Sequence, residues 1–433
     1  MSGSSEQLLA CIDADVIAYL GLKNDEIHWQ YTRFWQKNGY ALSPYLPLDG
    51  EINARDVKRY LNNLLPEGDG LETLTSLFRV SKSNTFALVK ILGQDLPSVF
   101  SLSDHECSKN KDSSFVELDE DDLINRLNNL EPRLAIWDDK PRLSVAGVQN
   151  KMNIVVNEEG KLGFGEGMLR STHLLKFEEK KSIHLVVNEY VTMRLAMACG
   201  LNVADVELRF FETHPALLVE RFDRKLLQGV TLRRHMIDGC QALNLPPEYK
   251  YERNFGKGRD VKHIRDGASL TKLFDFTNQC RNPALAKQTL LDWVVFNLLV
   301  LNADAHGKNI SFFVSNKGIE LCPFYDLVNI GMFKEFDQDL AMAIGDEFDI
   351  NGINAYQLAD FADNCMLTRS VVVRTVRRLA KKVILNVDEI INMTHKVTRN
   401  GVSNTFFESY QQMVVDQAEH LLAESELILS IEL

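Results

Sequence analysis

The chain has 433 residues, more than a single hydrophobic core usually supports, so two or three domains are expected. Its 48 basic and 60 acidic side chains give a net charge of −12, which works against broad autonomous binding to a polyanion such as DNA. A hydrophobic share of 45% and a charged share of 25% are typical of an ordinary globular protein.

The cysteines and the apolar segments indicate in which cellular compartment the protein is expected. The seven cysteines are scattered and contain no C-x-x-C pair, which indicates reduced, mostly buried thiols. The N-terminus has no basic segment followed by an apolar one, so nothing in it suggests export. The most apolar stretch, 290–301, is interrupted by Asp292 and Asn297 and is too short to cross a bilayer, which favours a buried helix. We therefore expect a cytoplasmic protein without a membrane partner.

Residues 1–110 predict a separate N-terminal α+β subdomain. Helices are expected over about 54–65, ending at Pro66, and over about 71–80. The stretch 101–114 is polar and charged, as linkers are, which places a domain boundary near residue 110.

Residues 111–222 predict a strand-rich lobe. Strands are expected over 152–156, 161–164 and 172–177, then a helix over about 183–199 closed by Gly200, then strands over 203–211 and 216–222. This is the element order of the small lobe of a protein kinase. From residue 223 to residue 433 nearly all predicted elements are helices. The predicted fold class is α+β, a protein-kinase-like two-lobe fold with an extra N-terminal α+β subdomain.

One predicted hairpin interrupts the helical part. Its strands, 310–314 and 319–322, flank a Ser-Asn-Lys-Gly turn, so antiparallel pairing would bring Asn309 and Asp326 side by side at its open end. Their oxygens could face one Mg²⁺, and Asp304 could orient an attacking hydroxyl, as in the D-x-x-x-x-N arrangement of protein kinases. Asp and Asn also cap turns, so this short motif alone leaves a purely structural role open.

Two other segments could hold a nucleotide. Lys176 ends a predicted strand, where a buried ammonium group could reach the α and β phosphates and pair with Glu189 on the next helix. A solvated side chain is the alternative. Near the end of the strand over 216–222, an adenine ring could lie against Phe222 and bond to the backbone near Glu220 and Arg221. An edge strand that ends in a packed phenylalanine fits equally well.

The sequence S-V-A-G-V-Q-N-K over residues 144–151 is a loop of small residues before a strand. Gly147 would let backbone N–H groups approach a phosphate. The segment lacks the spacing G-x-x-x-x-G-K-[ST] of a P-loop, so it is not a Walker motif.

Several segments together resemble the HipA family, the serine/threonine kinase toxins of HipBA toxin–antitoxin systems. They are S-V-A-G-V-Q-N-K at 144–151, T-H-L-L-K at 172–176, L-V-E-R-F-D-R at 218–224, D-A-H-G-K-N at 304–309 and P-F-Y-D at 323–326. Y-L-N-N-L-L-P at 60–66 is similar to the N-terminal signature of the family. The resemblance therefore runs to about residue 330.

The resemblance implies an ATP-dependent serine/threonine protein kinase that uses ATP and Mg²⁺. Asp304 would be the catalytic base, Asn309 and Asp326 would bind the metal, and Ser144 stands where the family autophosphorylates to silence itself. The chain has Ala305 and Asn150 where glycine and an acidic residue are frequent, and neither position must supply a charge. The implied ATP-binding residues are Ala146, Gly147, Val148, Gln149, Asn150, Lys151, Lys176, Glu220, Arg221, Phe222, His306, Gly307, Lys308, Asn309, Tyr325 and Asp326.

The resemblance also implies partners. These are a protein substrate, with an aminoacyl-tRNA synthetase such as that for glutamate as the candidate, and a HipB-like helix-turn-helix antitoxin dimer. Through the antitoxin the protein would act as a co-repressor on operator DNA and be nucleoid-associated. A basic run over 369–382 is compatible with DNA contact, although an ordinary solvated helix face is favoured. A small-molecule kinase and a non-catalytic antitoxin-binding scaffold stay alternatives, and Ser144 in its glycine-containing loop favours the protein kinase.

Overall fold

A computed structural model of the protein describes residues 6–107, 112–129, 136–138, 140–142, 151–178, 184–398 and 401–433. The helices in these ranges are α1 (Arg33–Asn38), α2 (Ala54–Asn62), α3 (Gly68–Phe78), α4 (Thr85–Leu92), α5 (Glu120–Asn128), α6 (Leu185–Ala198), α7 (Gly239–Ala242), α8 (Leu270–Phe276), α9 (Pro283–Leu299), α10 (Ala355–Asn364), α11 (Arg369–Thr398) and α12 (Asn404–Glu424). None of the helices in these ranges has the length and apolar character needed to span a membrane.

The same ranges also contain strands. They are β1 (Gln7–Ile12), β2 (Asp15–Lys23), β3 (Glu26–Tyr31), β4 (Ser101–Ser103), β5 (Ser113–Glu117), β6 (Ile136–Trp137), β7 (Lys140–Pro141), β8 (Lys151–Val156), β9 (Leu162–Gly167), β10 (His173–Phe177), β11 (Val206–Phe211), β12 (His214–Glu220), β13 (Arg224–Leu227), β14 (Val230–Arg233), β15 (Met236–Asp238), β16 (Ser311–Ser315), β17 (Gly318–Leu321), β18 (Asp339–Ile344) and β19 (Glu347–Asp349).

The chain forms two compact units. The first consists of residues 1–180, 209–247 and 312–319, and the second of residues 181–208, 248–311 and 320–433. Most strands belong to the first unit and the longest helices to the second. The α+β class is thereby confirmed. The division at residues 110 and 222 stays a prediction.

The N-terminal part of the first unit is built on a four-stranded sheet in the order β3-β2-β1-β4. Alternate residues of β1 and β2, such as Leu8, Ala10, Ala18 and Leu20, are fully buried, as expected for a sheet with one covered face. Helix α2 packs against β3 and ends at Asn62, before the predicted limit. This confirms an α+β arrangement for the N-terminal residues.

Two of the seven cysteines form a disulfide. Cys11 on β1 and Cys107 beyond β4 are bonded, with their Cα atoms 5.8 Å apart. The pairing of β1 with β4 places Cys11 opposite Ser101, beside the strand that leads to Cys107. The expectation of reduced thiols is wrong for this pair. The two cysteines are 96 residues apart in sequence, and only the pairing of β1 with β4 brings them together. The other five cysteines are free and buried, as expected.

A six-stranded sheet in the order β11-β12-β10-β8-β9-β5 lies in the strand-rich part, which also contains the smaller sheets β6-β7, β13-β14 and β15-β16-β17. Strands β8, β9, β10 and β12 confirm the four predicted strands that they overlap. One face of the sheet packs its apolar residues, including Met152, Leu175 and Phe177, against Leu123 and Trp137. The alternation of the pleat therefore turns the neighbouring residues, among them Lys176, to the opposite face.

Residues 224–238 are strands, so the expectation of nearly all helices after residue 223 is wrong for this segment. Strands β13 and β14 pair across a two-residue turn in which Gln228 and Gly229 have φ of 49° and 75°. Positive φ at both central residues is the backbone of a type I′ hairpin turn. The missed signal was this glutamine-glycine pair between two short runs of strand-forming residues.

His235, next to β15, predicts a pH-dependent stability. Its Nε2 donates to the carbonyl of Leu42 at 2.7 Å, and its Nδ1 accepts from the hydroxyl of Ser98 at 3.3 Å. Burial lowers the pKa of His235 to about 4, against about 6.5 in an unfolded chain. Between these values only the unfolded chain binds the proton, so the free energy of unfolding falls by roughly 3 kcal/mol as the pH drops from about 6.5 to about 4.

Urea unfolding at pH 7 and pH 4.5 measures this effect. In a His235→Gln chain the histidine-dependent part of the pH slope should be missing, whereas His263→Gln, at an exposed position, should keep it. Equal pH slopes in all three proteins would contradict the burial argument.

In the second unit, α9 confirms the buried helix expected from the apolar stretch 290–301. Asn282 caps its first turn by accepting from the N–H of Leu285, and Pro283 occupies the first position, where its missing N–H costs nothing. Helix α11 packs against α6, α9 and α12. Helix α6 ends at Ala198 with Cys199 as its C-cap, and Gly200, the predicted terminal glycine, follows with φ 85°. The end of α9 leads directly into the loop described next.

Candidate active site

The loop after α9 brings Asp304 and Asn309 together. Leu301 has φ 56°, so the chain turns sharply out of the helix. The side-chain amide of Asn309 donates to the carbonyl of Asp304 at 3.0 Å, and the N–H of Asn309 donates to the carbonyl of His306 at 2.9 Å. The amide nitrogen of Asn309 is therefore held by this carbonyl. The D-x-x-x-x-N spacing is thus a closed turn that joins Asn309 to Asp304.

The carboxylate of Asp304 accepts a hydrogen bond from the hydroxyl of Tyr251, with 2.8 Å between the oxygens. The Tyr251 ring lies edge-on to His306, with ring centroids 5.2 Å apart. The carbonyl of Lys250 accepts from the N–H of Gly307 at 2.9 Å. Sequence reasoning missed Tyr251, because it lies 53 residues before Asp304 and no spacing pattern links the two.

The predicted hairpin is present as β16 and β17, and its pairing extends to its open end. The N–H of Cys322 donates to the carbonyl of Ser311 at 2.9 Å. The Tyr325 hydroxyl then donates to the carbonyl of Lys308 at 2.8 Å and lies 2.6 Å from the Ser311 hydroxyl. Lys308 precedes Asn309 and Tyr325 precedes Asp326, so these contacts support the predicted convergence of Asn309 and Asp326.

Asp326 has an uncommon backbone. Its φ is 54°, in the left-handed region that costs free energy for a residue with a Cβ. The side-chain amide of Asn302 lies 3.5 Å from its carbonyl oxygen. Such conformations persist where the surroundings enforce them, and they concentrate at functional sites. The backbone conformation of Asp326 is therefore consistent with a functional role for its carboxylate.

The donors at this site fit a magnesium ion. A carboxylate and an amide oxygen are hard ligands, and Mg²⁺ in phosphoryl-transfer enzymes is bound by one or two carboxylates plus phosphate oxygens and water. Within the described ranges there is no group of three or more His, Cys, Asp or Glu side chains that could hold a metal. Asn309 and Asp326 supply only two side-chain ligands. Phosphate oxygens of the nucleotide and water would have to complete the coordination of the ion.

In the first unit, two lysines share one face of the large sheet. Lys176 on β10 is directly opposite Lys151 on β8, and their exposed fractions are 4% and 5%. The solvated alternative for Lys176 is therefore excluded. Contact of the two ammonium groups with the phosphates of ATP stays a prediction. Glu189 is 2% exposed on α6, and its pairing with Lys176 stays a prediction.

The segment proposed for adenine is partly used by the protein itself. The N–H of Arg221 donates to the carbonyl of Thr172 at 2.9 Å, and its carbonyl accepts from Arg224 at 3.0 Å. The Phe222 ring packs edge-on to Phe313, with centroids 5.8 Å apart. The adenine site at Glu220, Arg221 and Phe222 therefore stays a prediction. Ser144 and the loop residues Ala146, Gly147, Val148, Gln149 and Asn150 lie outside the described residues.

Comparison with known proteins identifies the family. The model of the HipA-like C-terminal domain matches residues 143–387, and that of the HipA N-terminal domain matches residues 8–102. The serine/threonine-protein kinase toxin HipA of Shewanella oneidensis is 45% identical over 396 residues, 90% of each chain. The putative kinase Y4mE of Sinorhizobium fredii is 32% identical over 368 residues, 82% of this chain and 85% of that one.

A solved structure agrees with the sequence comparison. The complex of Shewanella oneidensis HipA, HipB and operator DNA contains a chain that superposes with a TM-score of 0.89 and 41% identity, over 98% of this chain and 100% of that one. The family match covers more than half of the chain, and the sites described above fall within it. The chain therefore belongs to the HipA family of serine/threonine-protein kinases.

Proposed function

We propose that the protein is the kinase toxin of a HipBA-type module and transfers the γ-phosphoryl group of ATP to a serine of another protein. The observation that carries this proposal is the closed turn that joins Asp304 to Asn309 at the open end of the hairpin leading to Asp326. It supplies a carboxylate base and two oxygen ligands from one short stretch of chain. The buried pair Lys151 and Lys176 supplies charge for the phosphates.

The chemistry assigns one role to each group. The Asp304 carboxylate accepts the proton of the serine hydroxyl as that oxygen bonds to the γ phosphorus, while the bond to the β,γ-bridging oxygen breaks and ADP leaves. A magnesium ion at Asn309 and Asp326 would neutralise charge on the β and γ phosphates when bound. Lys151 and Lys176 hold the nucleotide phosphates by charge. His306, Gly307, Lys308 and Tyr325 shape the loop around these ligands.

The acceptor is proposed to be an aminoacyl-tRNA synthetase, with that for glutamate as the first candidate by family resemblance. Phosphoproteomics after expression without an antitoxin is expected to show one dominant new phosphoserine on a synthetase. Label confined to Ser144 would leave only autophosphorylation. Phosphate transfer to small hydroxyl compounds in its place would favour a small-molecule kinase.

Autophosphorylation of Ser144 is proposed to silence the enzyme through charge. A phosphoserine carries about −1.5 to −2 charges at neutral pH and would repel the ATP phosphates if it lies near them. A Ser144→Asp chain is expected to bind ATP about tenfold more weakly than the wild type, as measured by isothermal titration calorimetry. Ser113→Asp, on an exposed strand position, is the matched control. Unchanged affinity in the Ser144→Asp chain would refute the repulsion account.

A HipB-like antitoxin dimer and operator DNA are the proposed partners, because the relative of known structure was solved with HipB and operator DNA. The net charge of −12 favours DNA contact through the antitoxin over direct binding. In the basic run on α11, Arg369 pairs with Asp363, Arg378 pairs with Asp292, and Lys382 donates to the carbonyl of Cys199. Arg377 also donates to the hydroxyl of Ser425 at 3.2 Å, so four of the six basic side chains have structural contacts. Exposed Arg374 and Lys381 are the best candidates for phosphate contact.

A further inference from the structure

Residues 249–268 form a loop whose two ends close on each other, here called the Tyr251 loop. The N–H of Ala268 donates to the carbonyl of Tyr249 at 2.8 Å, and the N–H of Gly267 donates to the carbonyl of Glu252 at 3.3 Å. A Cβ at Gly267 would lie 1.8 Å from the carbonyl oxygen of Tyr251, so the neck closes only with glycine there. Compact loops with such a closed neck are frequently functional.

The neck of the loop is anchored on both sides of Tyr251. Glu252 is 3% exposed, and its carboxylate accepts from the Arg265 guanidinium at 2.6 Å and from the N–H of Ala343 at 2.8 Å. The N–H of Glu252 donates to the carbonyl of Ala341. The N–H of Ala341 donates to the carbonyl of Ala303, the residue before Asp304. Lys250, on the other side, holds Gly307. The backbone at Tyr251 is thus tied to the catalytic loop at two points.

We propose that Tyr251 is a positioning residue for the catalytic base, a role that rests on the proposed function. Its hydroxyl donates to Oδ1 of Asp304 at 2.8 Å, which stops the carboxylate from rotating and leaves its second oxygen to receive the serine proton. A base must be held in hydrogen-bonding geometry to the proton it removes.

Substitution of Tyr251 by phenylalanine tests the role, since it removes one hydroxyl and keeps the ring against His306. The rate of label transfer from [γ-³²P]ATP to protein serine is expected to fall about tenfold, the effect of one lost hydrogen bond to a charged group. The KM for ATP should stay unchanged, because Tyr251 bonds to the base. Tyr249→Phe, on the same loop with its ring against Phe255, is the matched control and should behave as wild type.

A second measurement separates positioning from general loop structure. In an Asp304→Ala background, Tyr251→Phe should lower the residual rate no further, because the hydroxyl acts only through that carboxylate. An equal fall in both backgrounds, a raised KM for ATP with unchanged kcat, or a wild-type rate for Tyr251→Phe would overturn the proposal. A wild-type chain that transfers no label at all would overturn the proposed function instead, and this proposal with it.

Discussion

An Asp304→Asn chain is expected to transfer phosphoryl groups from ATP at least about 100-fold more slowly than the wild type, the usual contribution of a positioned general base. The amide has the shape of the carboxylate and can still accept from Tyr251, so the loop should keep its structure. It cannot accept the serine proton. The defect should therefore lie in the chemical step, with ATP binding retained.

Single-turnover label transfer from [γ-³²P]ATP and nucleotide binding by calorimetry measure the two properties separately. Asp49→Asn, at an exposed position far from Asp304 in the sequence, is the matched control and should transfer at the wild-type rate. Equal and negligible transfer by the wild type and by Asp304→Asn would favour the non-catalytic scaffold.

An Asp223→Asn chain is expected to lose about 3–5 kcal/mol of unfolding free energy, the cost of removing one partner of a buried ion pair. Asp223 accepts from the Arg221 Nε and Nη2 atoms at 3.0 and 2.8 Å and lies 2.9 Å from the Arg224 guanidinium. All three side chains are at most 4% exposed. Without the carboxylate, two buried guanidinium groups would be left next to each other, with Asp95, 3.8 Å from Arg224, as the remaining acidic neighbour.

The same group predicts an acid limit. Burial alone would raise the pKa of Asp223, but Arg221 and Arg224 lower it to about 2, against about 3.9 in an unfolded chain. Its contribution to stability is therefore complete above about pH 4 and is lost as the pH falls towards 2. Urea unfolding of Asp223→Asn, with Asp49→Asn as the control, measures the loss at neutral pH. A change below about 1 kcal/mol would show that the two guanidinium groups find other partners.

The sequence by itself was sufficient for features that depend on neighbours along the chain. The strands β8, β9, β10 and β12, the helix α6 with Gly200, and the hairpin of β16 and β17 follow from local alternation, caps and turn residues. The order of Lys176, Asp304, Asn309 and Asp326 was readable for the same reason, since these residues lie at the ends of such elements. The motifs that contain these residues carry the resemblance to the HipA family, which the family models and relatives confirm.

The tertiary structure alone decided the contacts between residues far apart in sequence. Tyr251 reaches Asp304 across 53 residues, Cys11 reaches Cys107 across 96, and Arg224 reaches the carbonyl of Leu96 across 128. Lys151 and Lys176 are buried opposite each other because of strand register, which their own sequence neighbourhoods do not encode. Periodicity says which face of an element is covered, but the partner on that face is set by how all the elements pack at once. The residues proposed for the chemistry could therefore be identified from the sequence. The residues that hold them in place, such as Tyr251, could not.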